Sequence, residues 1–161
     1  MFYSIVVKMR FIKYLILICF LGLFDISATA QTRKATSPKQ WIEVLDNGDA
    51  TIYYRTDITT NNKGQHVVWV KVDYRSTLYQ MNFAQMIGSR TPVKSTKTKA
   101  LYSSDYSCVM VRQILCYDKN GHQLYDSGDD DSAGWGYANS NDPLSAVGNY
   151  LMNKLIWNSS K

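Results

Sequence analysis

Hydrophobic and polar residues alternate most cleanly from His66 to Arg75 (HVVWVKVDYR). Val68, Val70, Val72 and Tyr74 fall on one face, and Trp69, Lys71, Asp73 and Arg75 on the other, which predicts a half-buried antiparallel strand. Two shorter β-prone runs precede it, Trp41 to Asp46 and Ala50 to Asp57, joined through Asn47-Gly48. That dipeptide predicts a type I′ hairpin turn, in which both central residues take φ > 0. Asn61 to Gln65 reads as the next turn. From Cys108 to Tyr117 both faces carry apolar residues: Val109, Val111, Leu115 and Tyr117 on one, Met110, Ile114 and Cys116 on the other. This predicts a central strand covered on both sides. Ala100 to Tyr106 is expected to lead into it across a bulge near Ser103-Ser104-Asp105. Asp118-Lys119-Asn120-Gly121 suits a type I turn with glycine in the left-handed position, followed by a short returning strand.

The pattern is weaker elsewhere. Leu78 to Ile87 fits a short helix or a strand, and Gly88 to Lys99 reads as a basic, turn-like loop. Lys94, Lys97 and Lys99 within it are the spacing of a solvated loop more than of an anion site. Asp126 to Asn141 is a polar loop carrying Trp135 and Tyr137. Asp142 then has the character of an N-cap, and Pro143 that of a first helical residue. Leu144, Val147, Leu151 and Leu155 follow at helical spacing, widened by Tyr150 and Ile156, predicting a helix to about Trp157 whose stripe must cover the sheet. The expected fold is α+β: a single antiparallel β-sheet of about five or six strands with a C-terminal α-helix packed on one face.

The N-terminus changes the length to be folded. Lys8, Arg10 and Lys13 precede an apolar run of 11 residues, Tyr14 to Phe24, and Ala28-Thr29-Ala30 supplies small residues at a cleavage site. The expectation is a signal peptide over 1–30, a flexible leader over 31–40, and one domain over 41–158. An 11-residue run is too short to span a ~30 Å hydrocarbon core, so no membrane span is expected after cleavage. Bulky Ile16-Leu17-Ile18 before Cys19 argues against a lipoprotein. The destination is the periplasm, the cell surface or the medium. Cleavage removes three of the 18 basic and one of the 13 acidic residues, leaving a net charge of +3. So small a charge, interspersed in sign, argues against nucleic acid as a partner.

Candidate chemistry is sparse. The mature cysteines, Cys108 and Cys116, are separated by roughly 26 Å on one extended strand at ~3.3 Å per residue, so no disulfide between them is expected and both should be free. A buried, inert thiol is expected at Cys108 rather than a nucleophile. His66 and His122 lack partners at zinc-site spacing, and Asp129-Asp130-Asp131 lacks the alternating ligands of a calcium loop. No phosphate-binding or nucleophile-elbow motif is present. No cofactor and no enzymatic activity are therefore expected. Four tryptophans and 12 tyrosines remain to be placed. Trp69 is expected on the non-core face beside Lys71 and Arg75, with Tyr53 and Arg55 as cross-strand neighbours. Such a group suits a protein-binding face, or simply aromatic cover for a sheet.

Four segments, WIEVLDNGDATIYYRTD, VVWVKVDY, YDKNGHQLYDS and DDDSAGWGYANSNDPLSAVGNYL, occur in an order that resembles the surface-adhesin protein E family of exported bacterial proteins. They cover most of Trp41 to Leu151. The resemblance implies a one-domain antiparallel sheet with a C-terminal helix, and a surface or periplasmic module that binds extracellular-matrix or envelope proteins. It also implies a disulfide from sheet to helix, with the helix cysteine just after an Asn-Tyr pair. Here Asn149-Tyr150-Leu151 is followed by Met152, and the sheet partner would lie near Cys108. The departure means a helix held by packing, without the ~2–4 kcal/mol of a cross-link. Two other functions stay open: a small hydrolase or metal-dependent enzyme using His66, His122 or the Asp129 cluster, and a carrier of a small apolar ligand between helix and sheet.

Overall fold

The computed structural model describes residues 40–138 and 142–159. The signal-peptide reading and nearly all of the leader fall outside these residues. In chain order the elements are β1 (Trp41–Asp46), β2 (Ala50–Arg55), β3 (Thr59–Thr60), β4 (His66–Tyr74), α1 (Thr77–Met86), β5 (Ser95–Tyr102), β6 (Cys108–Tyr117), β7 (Gln123–Asp126), β8 (Gly136–Tyr137) and α2 (Pro143–Ser159). All strand pairings are antiparallel, in the order β1-β2-β4-β5-β6-β7. The α+β class and the C-terminal helix are as the pattern predicts, but the described residues form eight strands rather than five or six. Both extra strands are broken pieces. β3 continues the β2 position along β4, and β8 shares the β7 side of β6.

Local chemistry explains most boundaries. The β1–β2 turn is not type I′: only Gly48 has positive φ, at 88°. Asn47 instead accepts the N–H groups of Asp49 (3.1 Å) and Ala50 (2.9 Å) on its side-chain oxygen, a side-chain substitute for turn geometry. At the other end of the sheet Gly121 takes φ 82°, and its N–H reaches the Asp118 carbonyl at 3.1 Å, as its turn signal predicts.

Thr77 to Met86 resolves as helix. It stops at Gly88 (φ 71°), where Gly88 N–H donates to Gln85 O and Ser89 N–H to Ala84 O. Those paired bonds satisfy the last carbonyls, and the left-handed residue between them favours glycine. Its start has no side-chain cap. α2 starts as its sequence indicates. Asp142 accepts from Leu144 N–H (2.8 Å), Ser145 N–H (3.0 Å) and the Ser145 hydroxyl (2.8 Å), satisfying N-terminal donors that burial would otherwise strand.

Two expectations fail in the middle of the chain. Ser95 to Lys99 belongs to strand β5 rather than to a loop. Ser103-Ser104-Asp105 is the β5–β6 hairpin turn rather than a bulge; Ser103 N–H donates to Cys108 O and Tyr106 N–H to Ser103 O. The bulge in this pair is on β6, where Arg112 is the extra residue opposite Lys99 and Ala100, so Val109 and Val111 share the core face with Ile114 and Cys116 rather than with Leu115 and Tyr117.

One face of the sheet makes the core. Ile42, Ile52, Tyr54, Val68, Val70, Val72, Tyr74, Ala100, Tyr102, Val109, Ile114 and Cys116 are buried there with Val147 and Leu151 of α2. α1 adds Phe83 against Tyr74, ring centroids 4.8 Å apart. Both helices thus lie on the same side, and β6 is not covered by helices on two faces. Its outward residue Met110 pairs with Leu101, and both are buried apart from the core. Close helix–sheet approach is visible at Gly148, where an added Cβ would sit 3.1 Å from both the Tyr102 ring and the Tyr106 carbonyl oxygen. The Tyr102 hydroxyl donates to Leu144 O at 2.7 Å, tying β5 to the first turn of α2. The apolar stripe of α2 is shorter than predicted: Leu151 is buried, whereas Leu155, Ile156 and Trp157 are exposed.

Candidate functional site

With both helices on one side, alternation sends the other residues of β1, β2, β4 and β5 to the opposite face. Cross-strand register lines up Glu43, Tyr53, Lys71, Lys97, Leu115 and Asp126 in one row. The next row holds Trp69, Lys99 and Gln113, and Trp41 is opposite Arg55. Pairs directly across an antiparallel ladder come close enough for side chains to interact.

They do so by laying cations on rings. The Arg55 guanidinium lies 5.4 Å from the Trp69 ring centroid, and Lys71 Nζ lies 4.4 Å from Tyr53 and 5.8 Å from Trp41. Lys97 Nζ lies 4.4 Å from the Tyr117 ring. Each such contact is worth about 0.5–1 kcal/mol at an exposed site. The cations also reach carboxylates: Arg55 with Asp57 (2.5 Å), Lys71 with Asp73 (2.7 Å), and Lys99 and Arg112 together on Asp129 (2.5 and 2.9 Å). The Lys99 hydrogen bond, aided by Arg112, holds the Asp129 carboxyl below its ordinary range. The face is therefore a pre-assembled mosaic of rings and charge pairs, half-buried by its own neighbours, and not a one-sign field.

Of the five residues expected here, Tyr53, Arg55, Trp69 and Lys71 come together. Arg75 stands at the end of the sheet, ion-paired with Asp46 and donating to the Thr51 hydroxyl at 2.8 Å. That pairing lowers the Asp46 pKa and raises that of Arg75. Sequence reasoning missed Trp41, Lys97 and Tyr117. The signal for Lys97 was present: in Ser95 to Tyr102, Thr96, Thr98 and Ala100 alternate with Lys97, Lys99 and Leu101 at strand period. Lys94 is different, turning in to donate to Tyr74 O at 2.7 Å.

The other candidates are dispersed. His66 stacks on Tyr106 at 4.7 Å and bonds the Thr60 hydroxyl through Nδ1 at 2.9 Å. His122 lies in the β6–β7 turn, 3.1 Å from Asp118. Asp130 accepts from Ser132. Among the described residues no three His, Cys, Asp or Glu side chains are grouped to hold a metal ion, and no helix is long and apolar enough to cross a membrane. Cys108 and Cys116 are both free thiols on β6. Cys108 is only half-buried, contrary to the expected buried thiol, because it opens the strand at the hairpin end.

Comparison of the chain with protein-family models, with curated proteins and with solved structures finds no match. The functional reading therefore rests on the geometry and on the sequence pattern.

Proposed function

We propose that this chain is an exported, non-enzymatic module that binds a protein of the extracellular matrix or the cell envelope through its open sheet face. The observation that carries the reading is the stack of Trp41, Tyr53, Arg55, Trp69 and Lys71 on the side of the sheet away from both helices. Trp, Tyr and Arg dominate the energetics of protein interfaces. Held on three neighbouring strands and already in contact, these side chains lose little freedom on docking. The interleaved acids favour a protein over a polyanion, whose affinity comes from unopposed Lys and Arg against phosphate. The basic n-region and small-residue cleavage site support export, and the segments resembling surface-adhesin protein E support the partner class. His66, His122 and Asp129 sit in separate parts of the fold, each engaged with a neighbour, and the proposal gives them no catalytic part.

The test is a chain beginning at Gln31, titrated against immobilised matrix proteins and purified envelope proteins. Saturable binding is expected, weakened about tenfold or more by Trp69→Ala or Arg55→Ala, with both variants still unfolding as cooperatively as the parent. Absence of saturable binding, or binding indifferent to both substitutions, would overturn it.

A further inference from the structure

On the helix-covered side, away from the aromatic stack, a pocket of about 320 Å³ opens between the C-terminal half of α2 and the β1–β2 end of the sheet. Ile42, Ile58, Leu151 and Leu155 give it apolar walls. That volume is at the lower end of the ~300–1,000 Å³ that small-molecule sites span. Its polar groups gather together. Lys154 Nζ lies 3.4 Å from the Tyr54 hydroxyl, and the Tyr54 ring lies against Tyr150, centroids 5.6 Å apart. Among the described residues no carboxylate lies within ion-pair distance of Lys154. Burial raises the pKa of Tyr54 and of Tyr150, so both hydroxyls keep their protons at neutral pH.

The far wall is Tyr106, the one described non-glycine residue with positive φ, at 60°. A bulky residue stays in that sparsely populated region only where its surroundings hold it. Here stacking on His66 and contact with Tyr102 hold the ring in place. At the pocket's rim Leu155 is 48% exposed. An occupant of the pocket would cover the part of Leu155 that borders it.

We propose that this pocket binds a small monoanionic amphiphile, a medium-chain carboxylate, independently of the open sheet face. The carboxylate accepts from Lys154 Nζ and the Tyr54 hydroxyl, and the hydrocarbon chain lies along Ile42, Ile58 and Leu151 toward Leu155. An uncompensated cation beside a neutral phenol complements one negative charge, and the walls complement the tail. A cationic amphiphile with the same tail would set its charge against Lys154.

The experiment titrates the chain beginning at Gln31 with decanoate below its micellar concentration, by calorimetry and thermal shift. Expected are saturable one-to-one binding and a raised thermal midpoint, with no effect from decyltrimethylammonium. Lys154→Met keeps the apolar stem at an exposed position. It should weaken decanoate about tenfold or more without lowering the midpoint of the free protein. Trp69→Ala should leave decanoate binding intact, which separates this site from the sheet face. No saturation, equal binding of anion and cation, or indifference to Lys154→Met would overturn the proposal. So would partition onto phosphatidylcholine vesicles without binding of free decanoate, which would make the helix end a membrane contact instead.

Discussion

At the scale of single residues, the two thiols of β6 differ more than their shared strand suggests. Cys116 points into the core opposite Thr96, and burial pushes its thiol pKa up to about 12. The thiolate is the reactive species, so Cys116 should be inert at neutral pH. Cys108 is half-buried beside the β5–β6 turn. A thiol reagent added to the native mature protein should therefore modify Cys108 and spare Cys116, and denaturant should release two equivalents. Mass spectrometry after native alkylation reads the site directly. Modification of Cys116 first would contradict the placement, and a count of zero after denaturation would mean a disulfide. The separation of the cysteines was legible because distance along a strand is fixed by geometry. The exposure of Cys108 was not, because it depends on where the hairpin turns.

At the scale of elements, legibility followed the strength of the local signal. Asp142-Pro143 marked the start of α2 because cap and proline chemistry act within one turn. The β4 alternation marked its strand and both faces. β5 was hidden because threonine and lysine alternate there without an apolar run, although its inner residues Thr96, Ala100 and Tyr102 are buried. The end of the α2 stripe was hidden for another reason: helical spacing says which residues share a face, not how far the sheet beneath extends. Val147 and Leu151 lie over the core, and Leu155 hangs at the pocket. Each fully buried aliphatic side chain of this kind contributes roughly 1.5–3 kcal/mol, and packing is what holds this helix in the absence of a cysteine at Met152. Leu151→Ala should then cost about 2–3 kcal/mol in chemical denaturation, the lower part of the range for leucine truncations, since its side chain already borders a pocket. A loss under about half a kcal/mol would mean that α2 is not docked through this residue.

At the scale of the whole molecule, helices cover the sheet on one side only, as the expected fold has it, although β6 by itself pointed to cover on both. The apolar residues on both faces of β6 are real, but an outward row such as Leu101 opposite Met110 can be buried by neighbours on the same face. A sequence cannot separate that case from a second helical layer, because the composition is the same. What the open arrangement creates is a surface rich in charge pairs, and this sets how stability responds to acid. Asp105 accepts from the Ser103 and Ser107 hydroxyls and from Ser107 N–H, which together lower its pKa to about 2. Asp126, held by Gln113, and Asp46, held by Arg75, are also lowered. A carboxyl whose folded pKa lies below its unfolded value, ~3.9 for Asp, binds protons more readily unfolded. Its contribution is complete above about pH 4 and is lost as pH falls through the folded pKa. Stability should hold near pH 7 and fall between about pH 4 and 2. Asp105→Asn keeps one acceptor oxygen but no charge. The variant should therefore be less stable than the parent at pH 7, with the gap closing as pH drops from about 4 to 2. Denaturant midpoints across that window read the gap; a constant difference down to pH 2 would show that the Ser103–Asp105–Ser107 turn does not depend on the ionised carboxylate.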